Sequence, residues 1–354
     1  MPVIKGDAIN VYIMHSEHYN SLICILADIG GTYARFGILG SEGCIHTCRK
    51  YEIRSFDGPE QALDYYRMQA DCTDLPRDMA IATAAWPYTP DKWYFARDDT
   101  WCIELYSLQS AGWHIRHIEN DFTASARGAL LTSEDNVTKL YTPETMSATD
   151  GTALVIGVGT GLGLAYARQN TNGEIVVRPT CGGHMPPPRC GDDEISTLVE
   201  TALSLCDQKR EAVIEDLVSG PGLRNLIRAA GIHNGSDPGE MALETPAIIP
   251  PDFLEPALRV FHTLLGLFIN EAAQFGYAFG RVYLDGGIIG LLRDNNMLDI
   301  ATIRTAMCRD SVQVIQDNLD AMPIYGINDP LISFTGLKAC LADTQKNQHM
   351  ASAL

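Results

Sequence analysis

The chain has 354 residues, which is long enough for two domains or lobes with large cores. Hydrophobic residues make up 46% of it and charged residues 20%, as in ordinary soluble globular proteins. With 44 acidic against 26 basic residues, the formal net charge of -18 disfavours nucleic acid and anionic membranes as partners. An anionic substrate would therefore need locally placed donors such as backbone amides.

The ten cysteines are scattered and form no CxxC pair, which indicates reduced thiols in a cytoplasmic protein rather than a disulfide framework. The best candidate for a membrane span, residues 260–280, carries polar side chains such as Asn270 and Glu271. It therefore predicts a buried helix, and no membrane span is expected. Residues 1–21 lack the pattern of a secretory signal and are interpreted as an N-terminal extension, or as sequence upstream of a start at Met14.

The first strong element in the chain is residues 21–40. An apolar run over 22–27 predicts a strand, residues 28–32 predict a turn, and the alternation beyond them predicts a second strand. Asp28 at the strand end could orient a hydrated Mg²⁺, or it could bond its own backbone as turn aspartates often do. A helix is expected next over 58–69, followed by short strands over 79–85 and 92–95.

A carboxylate and an amide then follow another strand-like stretch, residues 113–119. Asn120 and Asp121 come directly after it, and residues 124–131 have helical spacing. Ligands in α/β proteins gather at the carboxyl ends of strands, so Asp121 is a candidate general base and Asn120 a candidate binder of hydroxyl groups. The alternative, that Asp121 only caps the helix, stays open at this point.

Four glycines, Gly157, Gly159, Gly161 and Gly163, interrupt the apolar stretch 154–165. The string is similar to a dinucleotide-binding fingerprint, but that fingerprint needs a helix after the turn, and alternate apolar positions here predict a strand. Glycines allow backbone N–H groups to surround a phosphate chain. The stretch therefore predicts either a phosphate-binding loop or an ordinary glycine-rich hairpin, and both interpretations stay open here.

The remaining segments are predicted from apolar periodicity, breakers and turn residues. Helices are expected over 192–205, 211–217, 223–230, 253–279, 297–309 and 333–342. Strands are expected over 174–178, 281–289 and 323–327, with turns at 219–222 and 285–287. The polar segment 132–148 is expected to join two lobes. Because strand, glycine turn and strand occur at Asp28 and again at Gly157, we expect two related halves that face each other across a ligand-binding cleft.

In this order, the segments DIGGT, ENDFTA, GVGTGLG, GGH, VSGPGL and LDGGI resemble the bacterial-type glucokinase family of the hexokinase/actin superfamily. The resemblance covers nearly the whole chain, and the combined set is specific although each motif alone is not. It implies an α/β, two-lobed actin-like ATPase fold of the ribonuclease H-like type, with mixed sheets flanked by helices and the active site in the interlobe cleft. The small lobe is expected from residues 22–131 and 333–346, and the large lobe from residues 132–332.

The resemblance also implies an ATP-dependent kinase that uses Mg²⁺ to phosphorylate the 6-hydroxyl of glucose, is cytoplasmic and forms a homodimer. Asn120 and Asp121 match the pair that holds the sugar, with Asp121 as the base, while His184 and Glu215 match further sugar ligands. Asp28 would hold the magnesium ion through water. The implied nucleotide-binding residues are Ala27, Asp28, Ile29, Gly30, Gly31, Thr32, Gly157, Gly159, Thr160, Gly161, Gly286 and Gly287. The alternatives are a satisfied core histidine for His184 and a solvated helix carboxylate for Glu215.

The chain departs from the family pattern at two positions. Cys181 precedes Gly-Gly-His, where the family usually has a sugar-binding glutamate, and a thiol is only a weak donor and acceptor. Asp98 stands where the family tends to have asparagine. Only Cys190 follows His184, so the local zinc site of three cysteines and a histidine found in related kinases is not expected.

Two other functions stay open because of Cys181. One is a catalytically weak sensor of sugar or nucleotide on the same fold, and the other is a kinase for a different hexose. ATP turnover with a panel of sugars separates them, because a sensor would bind ATP and turn over no sugar. A chaperone-type ATPase is disfavoured because no peptide-binding domain is expected.

Overall fold

The structure is a computed structural model that describes residues 7–8, 22–40, 42–95, 101–145, 151–206, 210–239, 241–243, 245–309 and 312–352. Asp98 and Met14 lie outside the described residues, as does the N-terminal extension apart from residues 7–8. The chain divides into two compact units. The first unit ends at Thr132 and resumes at Leu331, and the second runs from Ser133 to Pro330.

The elements of the described residues are numbered in chain order. The strands are β1 (Asp7–Ala8), β2 (Leu22–Ile29), β3 (Tyr33–Gly40), β4 (Ile45–Glu52), β5 (Asp78–Thr83), β6 (Trp86–Pro87), β7 (Lys92–Tyr94), β8 (Cys102–Glu104), β9 (His114–Asn120), β10 (Val137–Tyr141), β11 (Ala153–Val158), β12 (Leu162–Gln169), β13 (Ile175–Pro179), β14 (Arg281–Asp285) and β15 (Ile324–Ile327). The helices are α1 (Pro59–Gln69), α2 (Leu105–Ser110), α3 (Asp121–Leu131), α4 (Asp193–Ser204), α5 (Gly220–His233), α6 (Pro251–Gly276), α7 (Gly287–Asp294), α8 (Ile300–Met307), α9 (Gln313–Asp320) and α10 (Ile332–Ser352). Single 3-10 turns lie at Ile53–Ser55, Glu134–Asn136, Gly182–His184, Ile214–Asp216 and Pro246–Ile248.

The first unit is built on a six-stranded mixed sheet in the order β1-β4-β3-β2-β5-β9. Strands β2, β3 and β4 are antiparallel neighbours, whereas β5 and β9 continue the sheet parallel to β2. A small sheet of β6, β7 and β8 accompanies it. The parallel strands therefore end at the same edge of the main sheet, and this edge carries the site described below.

The second unit repeats this topology. Its sheet has the order β10-β15-β14-β11-β12-β13, with β11, β12 and β13 antiparallel and with β14 and β15 parallel to β11. Strand β10 is added antiparallel at the edge beside β15. The expectation of two related halves is confirmed, and each half is a mixed sheet flanked by helices, as in the ribonuclease H-like fold.

Both faces of β2 are buried because alternate side chains of the strand enter different cores. Ile25, Ala27 and Ile29 belong to the core that contains Leu63 of α1. The residues between them, such as Leu26, pack with side chains of α3 and α10. In the second unit the long helix α6 lies in the core with α5 and α8, as expected for its apolar sequence. Among the described helices, none is long and apolar enough to cross a membrane.

The structure corrects several predicted elements. The helix expected over 211–217 is only the 3-10 turn Ile214–Asp216. The strand expected over 281–289 ends at Asp285, because Gly286 adopts a φ of 100° and α7 begins at the next residue. The turn expected over 219–222 is the N-cap and first turn of α5. The sequence did not predict β1, β4, β6, β8, β10, α2, α7 and α9.

Candidate active site

Three parallel strands of the first unit end side by side. Ile29, Thr83 and Asn120 occupy matching positions of β2, β5 and β9. The Thr83 hydroxyl donates to the Ile29 carbonyl at 3.1 Å, and the Asn120 amide donates to the Thr83 carbonyl at 3.4 Å. These bonds hold the strand ends together, so Asp28 and the Asn120-Asp121 pair lie at one edge of the sheet.

Asn120 is the N-cap of α3. Its Oδ1 atom accepts from the backbone N–H groups of Phe122 at 3.0 Å and Thr123 at 3.3 Å. Asp121 is the first residue of the helix, and its own Oδ1 accepts from Phe122 N at 2.8 Å. The helix therefore has a cap in Asn120, and capping alone does not account for a carboxylate at position 121.

The pKa of the Asp121 carboxyl is raised from 3.8 to about 7. Burial is the largest cause, and the negative charge of Asp28 adds to it, while the Phe122 N–H and Arg35 act in the opposite direction. The residue is only half-buried by accessible surface, so its carboxyl stays within reach of a ligand. A carboxyl with a pKa near neutrality suits general base catalysis, and burial near another acid is the usual way to obtain it.

Asp28 itself is 4% exposed and lies in β2. Its Oδ2 atom accepts a 2.6 Å hydrogen bond from the Ser333 hydroxyl of α10 and faces Arg35 Nη2 at 3.0 Å. The side chain is thus held by tertiary contacts and is not a turn aspartate. Sequence reasoning missed both partners. Arg35 could have been found, because a β2–β3 hairpin places it opposite Asp28, whereas Ser333 is 305 residues away and gives no local signal.

The first glycine turn connects β2 to β3. Gly30 N donates to the Tyr33 carbonyl at 2.9 Å, and a Cβ added at Gly31 would meet nothing within 4 Å. The turn therefore presents open backbone beside Asp28. Ala27 and Ile29 have fully buried side chains, so any contact that they make with a ligand has to come from the backbone.

The second glycine turn connects β11 to β12 and is tied to Glu215. Leu162 N donates to Glu215 Oε2 at 2.8 Å, and a Cβ at Gly161 would lie only 2.5 Å from the same oxygen. Glu215 is 9% exposed, so the solvated helix carboxylate considered for this residue is wrong. Gly161 thus allows the buried carboxylate to approach the turn, and Gly159 leaves open space on its side.

Two helix N-termini meet the same turn. Gly220 N, at the start of α5, donates to the Gly159 carbonyl at 2.8 Å. Gly286 precedes α7, and a Cβ there would lie 2.4 Å from the Val158 carbonyl, while a Cβ at Gly287 would meet nothing within 4 Å. Helix N-termini and open glycine backbone favour anions. The second glycine turn, with Gly159, Thr160 and Gly161, therefore lies beside the starts of α5 and α7, and Gly286 and Gly287 belong to the same part of the second unit.

Cys181 and His184 lie at the two ends of the 3-10 turn that follows β13. Both are exposed, so the core-histidine alternative for His184 is wrong. A Cβ at Gly183 would lie 2.1 Å from the Leu162 carbonyl, which means that the turn packs directly on the start of β12. Ile214 N bonds the Met185 carbonyl at 2.8 Å and joins this segment to the one that carries Glu215.

Comparison with known proteins shows the family of the chain. The model of the family described as Glucokinase matches residues 25–344. The chain belongs to the glucokinase family. This membership confirms the resemblance drawn from the motif order, and it applies to nearly the whole chain.

Relatives in the family align along most of their length. A glucokinase of Paramagnetospirillum magneticum is 27% identical to this chain over 342 residues, which cover 91% of the chain and 98% of the relative. A glucokinase of Yersinia enterocolitica is 29% identical over 281 residues, covering 75% and 80% respectively.

Solved structures of similar proteins show the same fold. A glucokinase from an Antarctic psychrotroph superposes with a TM-score of 0.70 at 20% identity, covering 90% of this chain and 98% of the other. A glucokinase from Balamuthia mandrillaris in complex with glucose also gives 0.70, at 17% identity and with 90% and 93% coverage. A ROK family glucokinase from Streptomyces griseus in complex with glucose and AMPPNP gives 0.59 at 17% identity, with 90% and 98% coverage.

Proposed function

We propose that this protein transfers the terminal phosphoryl group of ATP to the 6-hydroxyl of glucose, with Asp121 as the general base. The observation that carries the proposal is the Asp121 carboxyl, whose pKa is raised to about 7 at the carboxyl edge of the parallel strands. Membership of the glucokinase family supports the reaction class, and similar proteins have been solved with glucose and with AMPPNP.

In this proposal Asp121 accepts the hydroxyl proton as the sugar oxygen attacks the phosphorus atom. The oxygen–phosphorus bond of the leaving ADP breaks, and the proton remains on the Asp121 carboxyl until it passes to solvent. A base with a pKa near 7 is deprotonated in part of the population and still binds a proton well enough to assist. Asn120 holds α3 and thereby the position of Asp121 through its two cap bonds.

The phosphates of ATP would be held by backbone rather than by basic side chains. The open backbone of the first turn at Gly31 and of the second turn at Gly159, with the start of α7 at Gly287, offers N–H groups suited to this role. Such donors neutralise charge that develops in phosphoryl transfer without adding mobile groups to the site. They also reconcile an anionic substrate with a chain of net charge -18.

A magnesium ion near Asp28 would contact this carboxylate through its bound water molecules and not directly. Arg35 and Ser333 both engage Oδ2, so the carboxylate is partly neutralised and poorly suited to direct ligation. Mg²⁺ keeps several waters and accepts such outer contacts. When bound, the ion would offset negative charge on the phosphates, and Asp28 would orient its waters.

The sugar would be bound by Glu215, His184 and the residue at position 181. The Glu215 carboxylate accepts from Leu162 N through Oε2, and we assign the contact with a sugar hydroxyl to the same carboxylate. The exposed His184 offers a ring nitrogen. Cys181 is a weak partner, and for this reason we keep a kinase for a different hexose, or a weakly active sensor, as the second candidate function.

The decisive experiment is a coupled assay of ADP release with glucose, mannose, fructose and glucosamine, together with identification of the phosphorylated product. We expect glucose 6-phosphate from glucose. ATP binding without turnover of any sugar would favour the sensor, and turnover of another sugar alone would favour a different hexose kinase. We also propose a cytoplasmic homodimer, which light scattering of the purified protein and cell fractionation test.

A further inference from the structure

A second cluster of chemically active side chains lies at the edge of the first sheet, where β9 meets α10. His117 and Glu119 are two residues apart on β9, so their side chains point to the same face of the strand. Cys340 of α10 approaches from that face, with Sγ 3.5 Å from Glu119 Oε1. His117 Nε2 lies 3.5 Å from Glu119 Oε2, and one donor atom from each of the three residues lies within 4.8 Å of the others.

We propose that His117, Glu119 and Cys340 bind a zinc ion. Zinc bonds of about 2.0–2.3 Å in a tetrahedral arrangement put the donor atoms roughly 3.3–3.8 Å apart. The two 3.5 Å separations lie in this range but involve different oxygens of Glu119. The carboxylate and the histidine ring therefore have to rotate so that one oxygen, Nε2 and Sγ, now within 4.8 Å of one another, surround one ion. His117 Nε2 is buried, and its 3.5 Å approach to Glu119 Oε2 is an ion-pair contact without hydrogen-bond geometry. In the neutral Nδ1–H tautomer this nitrogen presents a lone pair to a metal. Water would complete the tetrahedron.

The donor set selects the metal. A nitrogen, a carboxylate oxygen and a sulfur are together typical of zinc, whereas Mg²⁺ and Ca²⁺ take oxygen ligands. On binding, the Cys340 S–H bond breaks, its proton leaves to solvent, and a zinc–sulfur bond forms. The thiolate then offsets one positive charge of the ion, and the Glu119 carboxylate is shared between the ion and Arg127.

Arg127 sharpens this selectivity. Its Nη2 lies 3.2 Å from Glu119 Oε2, and its side chain is only 14% exposed. The guanidinium orients the carboxylate, and its positive charge opposes weakly bound cations. Zinc gains enough from its bond to the Cys340 sulfur to bind despite this repulsion, whereas Mg²⁺ and Ca²⁺ form no comparable bond to sulfur. Cys340 is buried and His117 is 28% exposed, so the ion would enter from the histidine side.

A bound ion would tie β9 to α10, and so would stabilise the first unit against unfolding, since a ligand that binds only the folded state raises its stability.

Cobalt is the probe of choice, because a cobalt–thiolate bond produces a charge-transfer absorption in the near ultraviolet. We expect that absorption to saturate at one equivalent of Co²⁺ per chain and to disappear on addition of Zn²⁺. Cys340→Ser should abolish it, and His117→Gln should weaken zinc binding by about 100-fold or more, beyond the 10–100-fold typical of residues that only orient a ligand. Cys44→Ser, which changes an exposed cysteine elsewhere in the unit, is the matched control and should change neither.

Thermal unfolding supplies the second measurement. Zinc should raise the Tm of the intact protein and of Cys44→Ser, and should leave the Tm of His117→Gln unchanged. A cobalt spectrum without thiolate absorption, or one that persists in Cys340→Ser, overturns the proposal. If Cys340→Ser does not fold, the comparison of zinc affinity between the intact protein and His117→Gln tests the proposal, because His117 is partly exposed and its replacement is tolerated more easily. Equal zinc affinity in these two would exclude the site.

Discussion

Replacing Asp121 by asparagine should stabilise the protein at high pH while removing most of its activity. In the folded protein the carboxyl has a pKa of about 7, against 3.8 without its surroundings, so the folded state binds more protons between these values. The free energy of unfolding therefore falls as the pH rises from about 4 to about 7, and above pH 7 it is lowered by the full free energy of ionising the carboxyl in the folded protein. A shift of about 3 units corresponds to about 4 kcal/mol at about 1.4 kcal/mol per unit, an upper bound because the side chain is only half-buried.

The substitution keeps the local geometry. An asparagine Oδ1 can still accept from Phe122 N, the bond that the aspartate makes at 2.8 Å. What is lost is the favourable interaction of a negative charge with the N-terminus of α3, about 0.3–1 kcal/mol. Because this is smaller than the cost of ionising the buried carboxyl, we expect a net gain in stability at pH 8 and none at pH 4.

The assays are chemical denaturation at the two pH values and steady-state kinetics. We expect kcat to fall by about 10²-fold or more, the scale of losing a general base, with glucose binding largely retained. Asp193→Asn is a matched control, since Asp193 is the first residue of α4 after the N-cap Asp192 and is exposed. Normal kcat in folded Asp121→Asn would remove this residue from the mechanism. Equal stability changes at pH 4 and pH 8 would show that its pKa is not raised.

Four further outcomes are expected. Cys181→Glu should lower the KM for glucose by about tenfold or more, since a hydrogen bond to a charged group contributes about 1.5–3 kcal/mol; unchanged KM for every hexose tested would place Cys181 outside the sugar site. Glu215→Gln should raise that KM by about tenfold, because the amide keeps one acceptor for Leu162 N and offers the sugar a donor in place of a carboxylate oxygen. Asp28→Asn should move the acidic limb of kcat/KM below pH 7, because it removes the negative charge that raises the pKa of Asp121; a limb that stays in place contradicts this coupling. Burial lowers the pKa of His262 from 6.5 to about 4, so the unfolded state binds a proton that the folded state does not between these pH values. The free energy of unfolding in denaturant titrations should therefore fall by about 3 kcal/mol as the pH falls from 6.5 to about 4. An identical pH dependence in His262→Leu would contradict this effect of His262.

The sequence by itself determined the parts that depend on neighbouring residues. Alternating apolar positions around glycines predicted the hairpins β2–β3 and β11–β12, and both form. Period two is a property of a strand alone, so no distant contact is needed to read it. The order of the short motifs was sufficient to indicate the family, which the match over residues 25–344 confirms.

Elements whose local pattern was ambiguous were misread. The 211–217 segment has helical spacing, yet it forms a single 3-10 turn in which Glu215 bonds Leu162 N across 53 residues. Beyond Asp285 the apolar run continues, but Gly286 takes a positive φ and lies against Val158, so the chain changes from strand to helix. In both cases packing against β11 or its turn outweighs local preference.

The chemistry of the site was decided by tertiary structure alone. Whether Asp121 is a base or a cap depends on its burial and on the charge of Asp28, and both arise only when β2 and β9 share a sheet with β5 between them. The bond from Ser333 to Asp28 likewise joins positions 305 residues apart. A pKa records the solvent and charges within a few ångströms, and the order of residues along the chain does not specify these until the chain has folded.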